Sequence, residues 1–223
     1  MNKKLFISAL VKFLFGVLLV GTLVFLPAGT LNYTGGIIFM CVLFVPMFIA
    51  GLVMMAKSPE LLAKRLNVKE KEREQSIVIK LSGLMFLVGF ILAGLDFRFG
   101  WIKLPIAVNI IATVVFVIAY ILYAEVLREN AYLSRTIEVQ EGQKVVDTGL
   151  YGIVRHPMYA VTLILFLSMP LILGSLVSFI AFLAYPFIIA ARIRNEEKVL
   201  TEGLEGYAQY KEKVKYRLIP FVW

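Results

Sequence analysis

The chain alternates long apolar runs with short polar ones. Leu5–Leu26, Ile37–Ala56, Ile77–Leu95 and Leu104–Val126 are almost free of charge, and each is close to the roughly 20 residues a helix needs to cross a hydrocarbon core. Two shorter runs follow, Met158–Leu173 and Leu176–Ile193, separated only by Gly174-Ser175. That spacing predicts a tight helical hairpin. None of the runs shows the alternation over about 10 residues that marks a membrane barrel. The pattern predicts an all-α integral membrane protein with about six transmembrane helices, the last two forming the short hairpin.

The polar segments add detail. Pro27–Gly36 is an uncharged turn, and Pro46 predicts a kink that neighbouring helices tolerate. In the charged stretch Lys57–Glu74, Ser58-Pro59-Glu60 reads as a helix cap with proline in the first turn. Leu61, Leu62 and Leu66 then form an apolar stripe, so this part is expected to lie on the membrane as an amphipathic helix. Lys12 falls inside the first run, where its head must snorkel or face the bundle interior. Asp96–Lys103 is a short aromatic loop, with Trp101 suited to the headgroup belt. Leu127–Val154 is the longest polar stretch; its β-branched, alternating part, Arg135–Val146, predicts extended or irregular chain. Arg194–Trp223 is a charged, aromatic tail. With no repeat or separate soluble unit, residues 1–223 read as a single membrane domain, spans in 1–127 and the chemistry-bearing region in 128–223.

Composition agrees: 60% of the residues are hydrophobic, against about half in soluble domains. The net charge of +8 would suggest nucleic acid in a soluble protein. Here the basic residues lie in short loops beside spans, where they set topology and face anionic lipid; no nucleic-acid partner is implied. Lys3, Lys4, six Lys or Arg from Lys57 to Arg73, four from Arg128 to Arg155 and the C-terminal cluster fall on one side, while Arg98 and Lys103 fall on the other. The positive-inside rule puts both termini in the cytoplasm, as expected of a multi-pass protein of the inner or plasma membrane. A single Cys41 and a single His156 permit no internal disulfide and support no metal site. The first run lacks a small-residue cleavage site after it and reads as a retained span.

Two polar clusters carry candidate chemistry. Arg155-His156-Pro157 opens the fifth run, preceded by a glycine-containing turn and Tyr151, and followed by Tyr159. Basic residues at a span end can simply meet lipid phosphate, but this composition also suits a shaped loop. Arg192 and Glu196 share a helix face, and Glu196-Glu197 follow directly after the sixth run. The end of that run is expected to be a helix C-terminus, where the macrodipole disfavours two acids, so a cation, a nearby Arg or a bound ligand, should compensate. The hairpin brings both clusters to one side, giving Arg, His, Tyr and Glu at the boundary of water and lipid. That location suits a water-soluble cofactor meeting a lipid-borne substrate.

The ordered combination Gly149-Leu-Tyr-Gly-Ile-Val-Arg-His-Pro-Met-Tyr159, Arg192-Ile-Arg-Asn-Glu-Glu197, Gly206-Tyr-Ala-Gln-Tyr210 and Tyr216-Arg-Leu-Ile-Pro220 resembles the isoprenylcysteine carboxyl methyltransferase family, which is related to the phospholipid N-methyltransferases. The resemblance covers roughly Arg135–Trp223. It implies a membrane methyltransferase using S-adenosylmethionine, acting on a lipid or lipidated small-molecule or protein substrate, without a metal. It assigns cofactor binding to Gly149, Leu150, Tyr151, Val154, Arg155, His156, Pro157, Tyr159 and Glu197, and catalytic roles to Arg192, expected near a substrate carboxylate, and Glu196. Gln143 stands where eukaryotic members often have histidine. The favoured reaction is O-methylation of an isoprenylcysteine-like carboxylate. A carboxylate nucleophile is already ionised at neutral pH, so positioning and exclusion of water would suffice. A lipid amine would first have to lose a proton. The rival classes are a non-catalytic membrane subunit or carrier, and a reductase of the kind whose C-terminal region is similar.

Overall fold

A computed structural model describes residues 3–66, 73–133 and 139–223, with the side chains of 73–75 left aside. The predicted loop content at 67–72 and the first part of the predicted extended stretch, 135–138, lie outside the described residues. The helices are α1 (Lys3–Ala28), α2 (Thr34–Lys57), α3 (Pro59–Leu66), α4 (Arg73–Phe99), α5 (Ile106–Glu129), α6 (Pro157–Ile172), α7 (Leu176–Phe182), α8 (Tyr185–Gly203) and α9 (Tyr207–Lys213). No strand occurs among the described residues. α1, α2, α4, α5 and the α7–α8 unit are long and apolar enough to span a membrane, and α6 is a shorter apolar helix. The protein is an all-α, multi-pass membrane protein.

Its outer surface is apolar, as lipid requires: Phe15 is 63% and Leu18 69% exposed. The interior is an aromatic cluster in which Phe39, Phe90, Phe116 and Phe182 are all but sealed. Small residues let the helices approach, the usual device where no hydrophobic gain separates helix from lipid. A Cβ on Gly89 would lie 2.3 Å from the Phe182 ring, and one on Gly94 would lie 2.5 Å from the Val24 carbonyl.

The two ends of the bundle differ. At one end the Gly174-Ser175 turn is held from several helices. Asn109 Nδ2 donates to the carbonyls of Leu171 (3.1 Å) and Ile172 (3.2 Å), Tyr33 donates to Leu173 O, and Ser175 Oγ donates to the buried Asp96 at 2.6 Å. At the other end lie α3, the 139–156 segment and the tail. Pro59 opens α3 as its sequence predicts. Lys12 does not remain a lone charge in the apolar run: its Nζ donates to Leu66 O, the last residue of α3, at 2.7 Å, where the helix dipole is negative.

The last span differs from its sequence reading. It breaks at Leu183-Ala184, because Pro186 in the first turn of α8 starts a new helix. It also does not stop at Ile193; α8 continues to Gly203. Residues 192–202 are mostly polar and mostly good helix formers, and nothing breaks the helix before the glycine. Arg192, Glu196 and Glu197 are therefore interior to a helix rather than at its C-terminus, so the dipole argument for a compensating cation does not apply. Cations are present for another reason, described next.

Candidate functional site

The site forms where α6 begins. Gly149 opens a 3-10 turn, Gly149–Gly152, at φ 51, a conformation glycine adopts without strain. A Cβ there would fall 1.3 Å from Glu129 Oε1. Glu129, the last residue of α5, accepts from Leu150 N at 3.1 Å and so fixes where the turn sits. Tyr151 follows, its carbonyl accepting from Tyr210 Oη of α9 at 2.7 Å. Arg155 and His156 then run against the tail: Arg155 N donates to Tyr216 O and His156 N to Arg217 O, both at 2.9 Å. Pro157 begins α6 at the position where a missing N–H costs nothing.

The adjacent acids of α8 face different ways, since successive helical residues are rotated by about 100°. Glu197 is 4% exposed. Its Oε1 accepts from Arg155 Nε at 2.7 Å and lies 3.4 Å from His156 Nε2, and its Oε2 accepts from Arg217 Nε at 2.8 Å. Arg155 also donates to the carbonyls of Val214 (2.6 Å) and Lys215 (2.9 Å). Glu197 thus ties α8 and the start of α6 to the tail, and it does not line the cleft beside it. Its oxygens are engaged by Arg155, Arg217 and His156. Glu196 turns the other way, with Arg192 and Leu200 one helical turn to either side. It accepts from Tyr159 Oη, which in turn accepts from Arg192 Nε at 2.8 Å. His156 Nδ1 lies 4.0 Å from Glu196, so the imidazole stands between the two acids.

The cleft holds about 790 Å³ of empty space, the part open to solvent included. Of the sequence-assigned residues, Tyr151, Arg155, His156, Tyr159, Arg192 and Glu196 line it. Gly149, Leu150, Val154, Pro157 and Glu197 do not; the first four shape the turn and the helix start, and Val154 is core at 6% exposure. The lining also includes residues to which the sequence reading gave no role: Asn130 and Tyr132 after α5, Lys144–Val146, Met158, Leu200, Leu204, Tyr207 and Tyr210. Of these, Met158, Tyr207 and Tyr210 left a signal, as members of the motifs Gly149–Tyr159 and Gly206–Tyr210. Gln143 lines the cleft and accepts from Gln140 N at 2.9 Å. No metal-binding cluster forms among the described residues.

Whether S-adenosylmethionine suits these residues can be judged from their unsatisfied groups. Tyr207 is 4% and Tyr151 6% exposed. Neither hydroxyl makes a hydrogen bond of ordinary geometry among the described residues, although Asn130 lies near that of Tyr151. Buried polar atoms normally have partners, and both residues line the cleft beside a carboxylate. Aromatic walls, an acid and two waiting hydroxyls fit a ligand with a flat ring, a cationic centre and polar ends.

Residues 107–202 match the isoprenylcysteine carboxyl methyltransferase (ICMT) family. The matched segment holds α5, α6, α7 and all but the end of α8, the helices on which Tyr159, Arg192 and Glu196 stand. The chain is also 32% identical over 91 residues to a Delta(14)-sterol reductase of Mus musculus, a stretch that is 40% of this chain and 22% of that protein. The chain thus spans about a fifth of the length of that curated relative. The resemblance read from the motifs is shown for this segment.

Proposed function

We propose that the chain is a membrane methyltransferase that binds S-adenosylmethionine in this cleft and methylates the carboxylate of an isoprenylcysteine-like, lipid-borne substrate. The observation that carries the reading is that the family match falls on the helices that build the cleft. When bound, the cofactor supplies a methyl group on a sulfonium. The chain's part is to bind and orient. Glu196, rather than Glu197, faces the cofactor's cationic end. Tyr151, His156 and Tyr159 offer aromatic faces. Arg192 offers a planar fork that suits a carboxylate. Met158, Val146 and Leu200 keep water from the reacting atoms. The distribution of Lys and Arg supports a cytoplasmic cleft, which a soluble cofactor can reach while the acyl or prenyl tail stays in lipid.

Titration calorimetry of S-adenosylhomocysteine into the protein in detergent tests this, beside Glu196→Gln. Saturable binding that the substitution weakens supports the cofactor class; no binding by folded protein refutes it. Transfer of labelled methyl to a farnesylcysteine analogue, rather than to phosphatidylethanolamine, then separates carboxylate from amine acceptors. The likeness to a protein named as a sterol reductase favours one second reading. Binding of a reduced nicotinamide dinucleotide, with none of S-adenosylhomocysteine, would establish it. Binding of neither would leave a non-catalytic subunit or carrier.

A further inference from the structure

Most side-chain hydroxyls and charged groups around the cleft are already satisfied by protein. Glu197 is held by Arg155 and Arg217, Tyr159 lies between Arg192 and Glu196, and Tyr210 donates to Tyr151 O. The hydroxyls of Tyr151 and Tyr207 stand apart from this pattern. They come from different segments, the 3-10 turn and α9, and both lie in the same cleft, more than nine-tenths buried, with no directed hydrogen bond among the described residues. Their rings are fixed. Tyr207 packs against Tyr210 with centroids 5.7 Å apart, and the carbonyl of Tyr151 is anchored by the Tyr210 bond.

We infer that Tyr151 and Tyr207 form a subsite for an anionic acceptor, the carboxylate at the amino-acid end of the bound cofactor, facing Glu196, which takes the ammonium of the same end. The inference rests on the cofactor reading above. Two buried O–H donors on residues lining one cleft are satisfied together by an acceptor with several lone pairs, which a carboxylate has. A ribose diol would also need acceptors for its own protons, which two phenol O–H donors do not favour as a carboxylate's lone pairs do. Burial, and then the charges of Glu197 and Glu196, push the Tyr207 hydroxyl well above the usual tyrosine range. Burial likewise raises that of Tyr151. Both therefore remain protonated donors throughout the working pH range. Arg155, which also lines the cleft, acts on Tyr207 in the opposite sense and leaves the corner less hostile to an anion than the acids alone would make it.

Two ligands separate the ends of the cofactor: S-adenosylhomocysteine carries the amino acid, and 5′-methylthioadenosine keeps the nucleoside without it. Tyr207→Phe is expected to weaken S-adenosylhomocysteine roughly tenfold or more, the worth of a hydrogen bond to a charged group. Binding of methylthioadenosine should stay within about twofold. Tyr151→Phe should behave alike. Removing the unpartnered Tyr207 hydroxyl costs the unliganded fold nothing, so apo Tyr207→Phe should melt no lower than wild type while gaining less from ligand. Equal weakening of both ligands, or unchanged S-adenosylhomocysteine binding, overturns the subsite. A wild-type protein that binds neither ligand refutes the cofactor reading itself.

Discussion

Replacing Glu197 by alanine discriminates between two roles for one residue. If the acid met the cofactor directly, the variant would fold normally and lose only binding. The geometry argues for a larger and earlier effect. Arg155 is 8% exposed, and its charge is neutralised by Glu197 at 2.7 Å. Removing one partner of a buried pair leaves an uncompensated charge and costs about 3–5 kcal/mol. Arg217, the other partner, has a side chain that is 34% exposed. Solvent screens that pair, so Arg217→Ala should cost only about 1 kcal/mol. The same carboxylate joins α8 to a tail whose carbonyls at 214–217 are held by Arg155 and His156, so the tail should loosen first. Tryptophan fluorescence can follow this locally. Trp223 lies against Arg217, the guanidinium carbon 5.4 Å from its ring centroid, while Trp101 is at the opposite end of the bundle and can be silenced as Trp101→Phe. Denaturation of Glu197→Ala in detergent should show Trp223 released well before the global transition, with Arg217→Ala displaced far less. Wild-type stability and unchanged Trp223 emission in Glu197→Ala, combined with lost S-adenosylhomocysteine binding, would refute the reasoning and restore Glu197 as a direct contact.

Gly149→Ala should destabilise by roughly 2–4 kcal/mol, from the left-handed backbone and the displaced Glu129–Leu150 bond, read as a lower melting temperature with weaker S-adenosylhomocysteine binding. Arg192→Ala should leave S-adenosylhomocysteine affinity within about twofold and lower methyl-transfer turnover roughly 10–100-fold, the loss of a charge-assisted contact to the acceptor; unchanged turnover removes Arg192 from the mechanism. For topology, Gly142 has φ 70, so a reporter cysteine belongs at its exposed neighbour Glu141. In a Cys41→Ala background, Glu141→Cys should react with an impermeant maleimide only after the cells are opened.

The spans were legible because hydropathy answers directly to the solvent they sit in, and α3 was legible because Ser58-Pro59-Glu60 is a start signal independent of tertiary context. The end of α8 was not. Apolarity marks where a helix leaves the membrane, not where it ends, and Arg192 to Glu202 supplies helix formers with few apolar residues. Pro186 did signal the break before α8, but inside an unbroken apolar run it competed with the reading of a continuous span. The closure of the tail onto Arg155 and His156 rests on backbone hydrogen bonds to Tyr216 and Arg217, which no residue type announces.

The acid pair shows how far side-chain pattern alone can be taken. Spacing placed Arg192 and Glu196 on one helix face, and the structure keeps them there, joined through Tyr159. Resemblance gave the cofactor to Glu197, one position on, and a rotation of about 100° turns that residue into a different environment. The rotation also explains why two adjacent acids can coexist near the membrane boundary. Glu197 is buried because three basic groups meet it. Glu196, with its side chain 22% exposed, keeps a carboxylate in the cleft with Tyr159 and the nearby His156 beside it. On the proposed function, releasing Glu197 to a ligand would loosen the tail from α6, whereas Glu196 would exchange Tyr159 for a cation with the tail closed. On the same reading the cleft would empty and refill each turnover, and that division would serve it better than one residue in both roles.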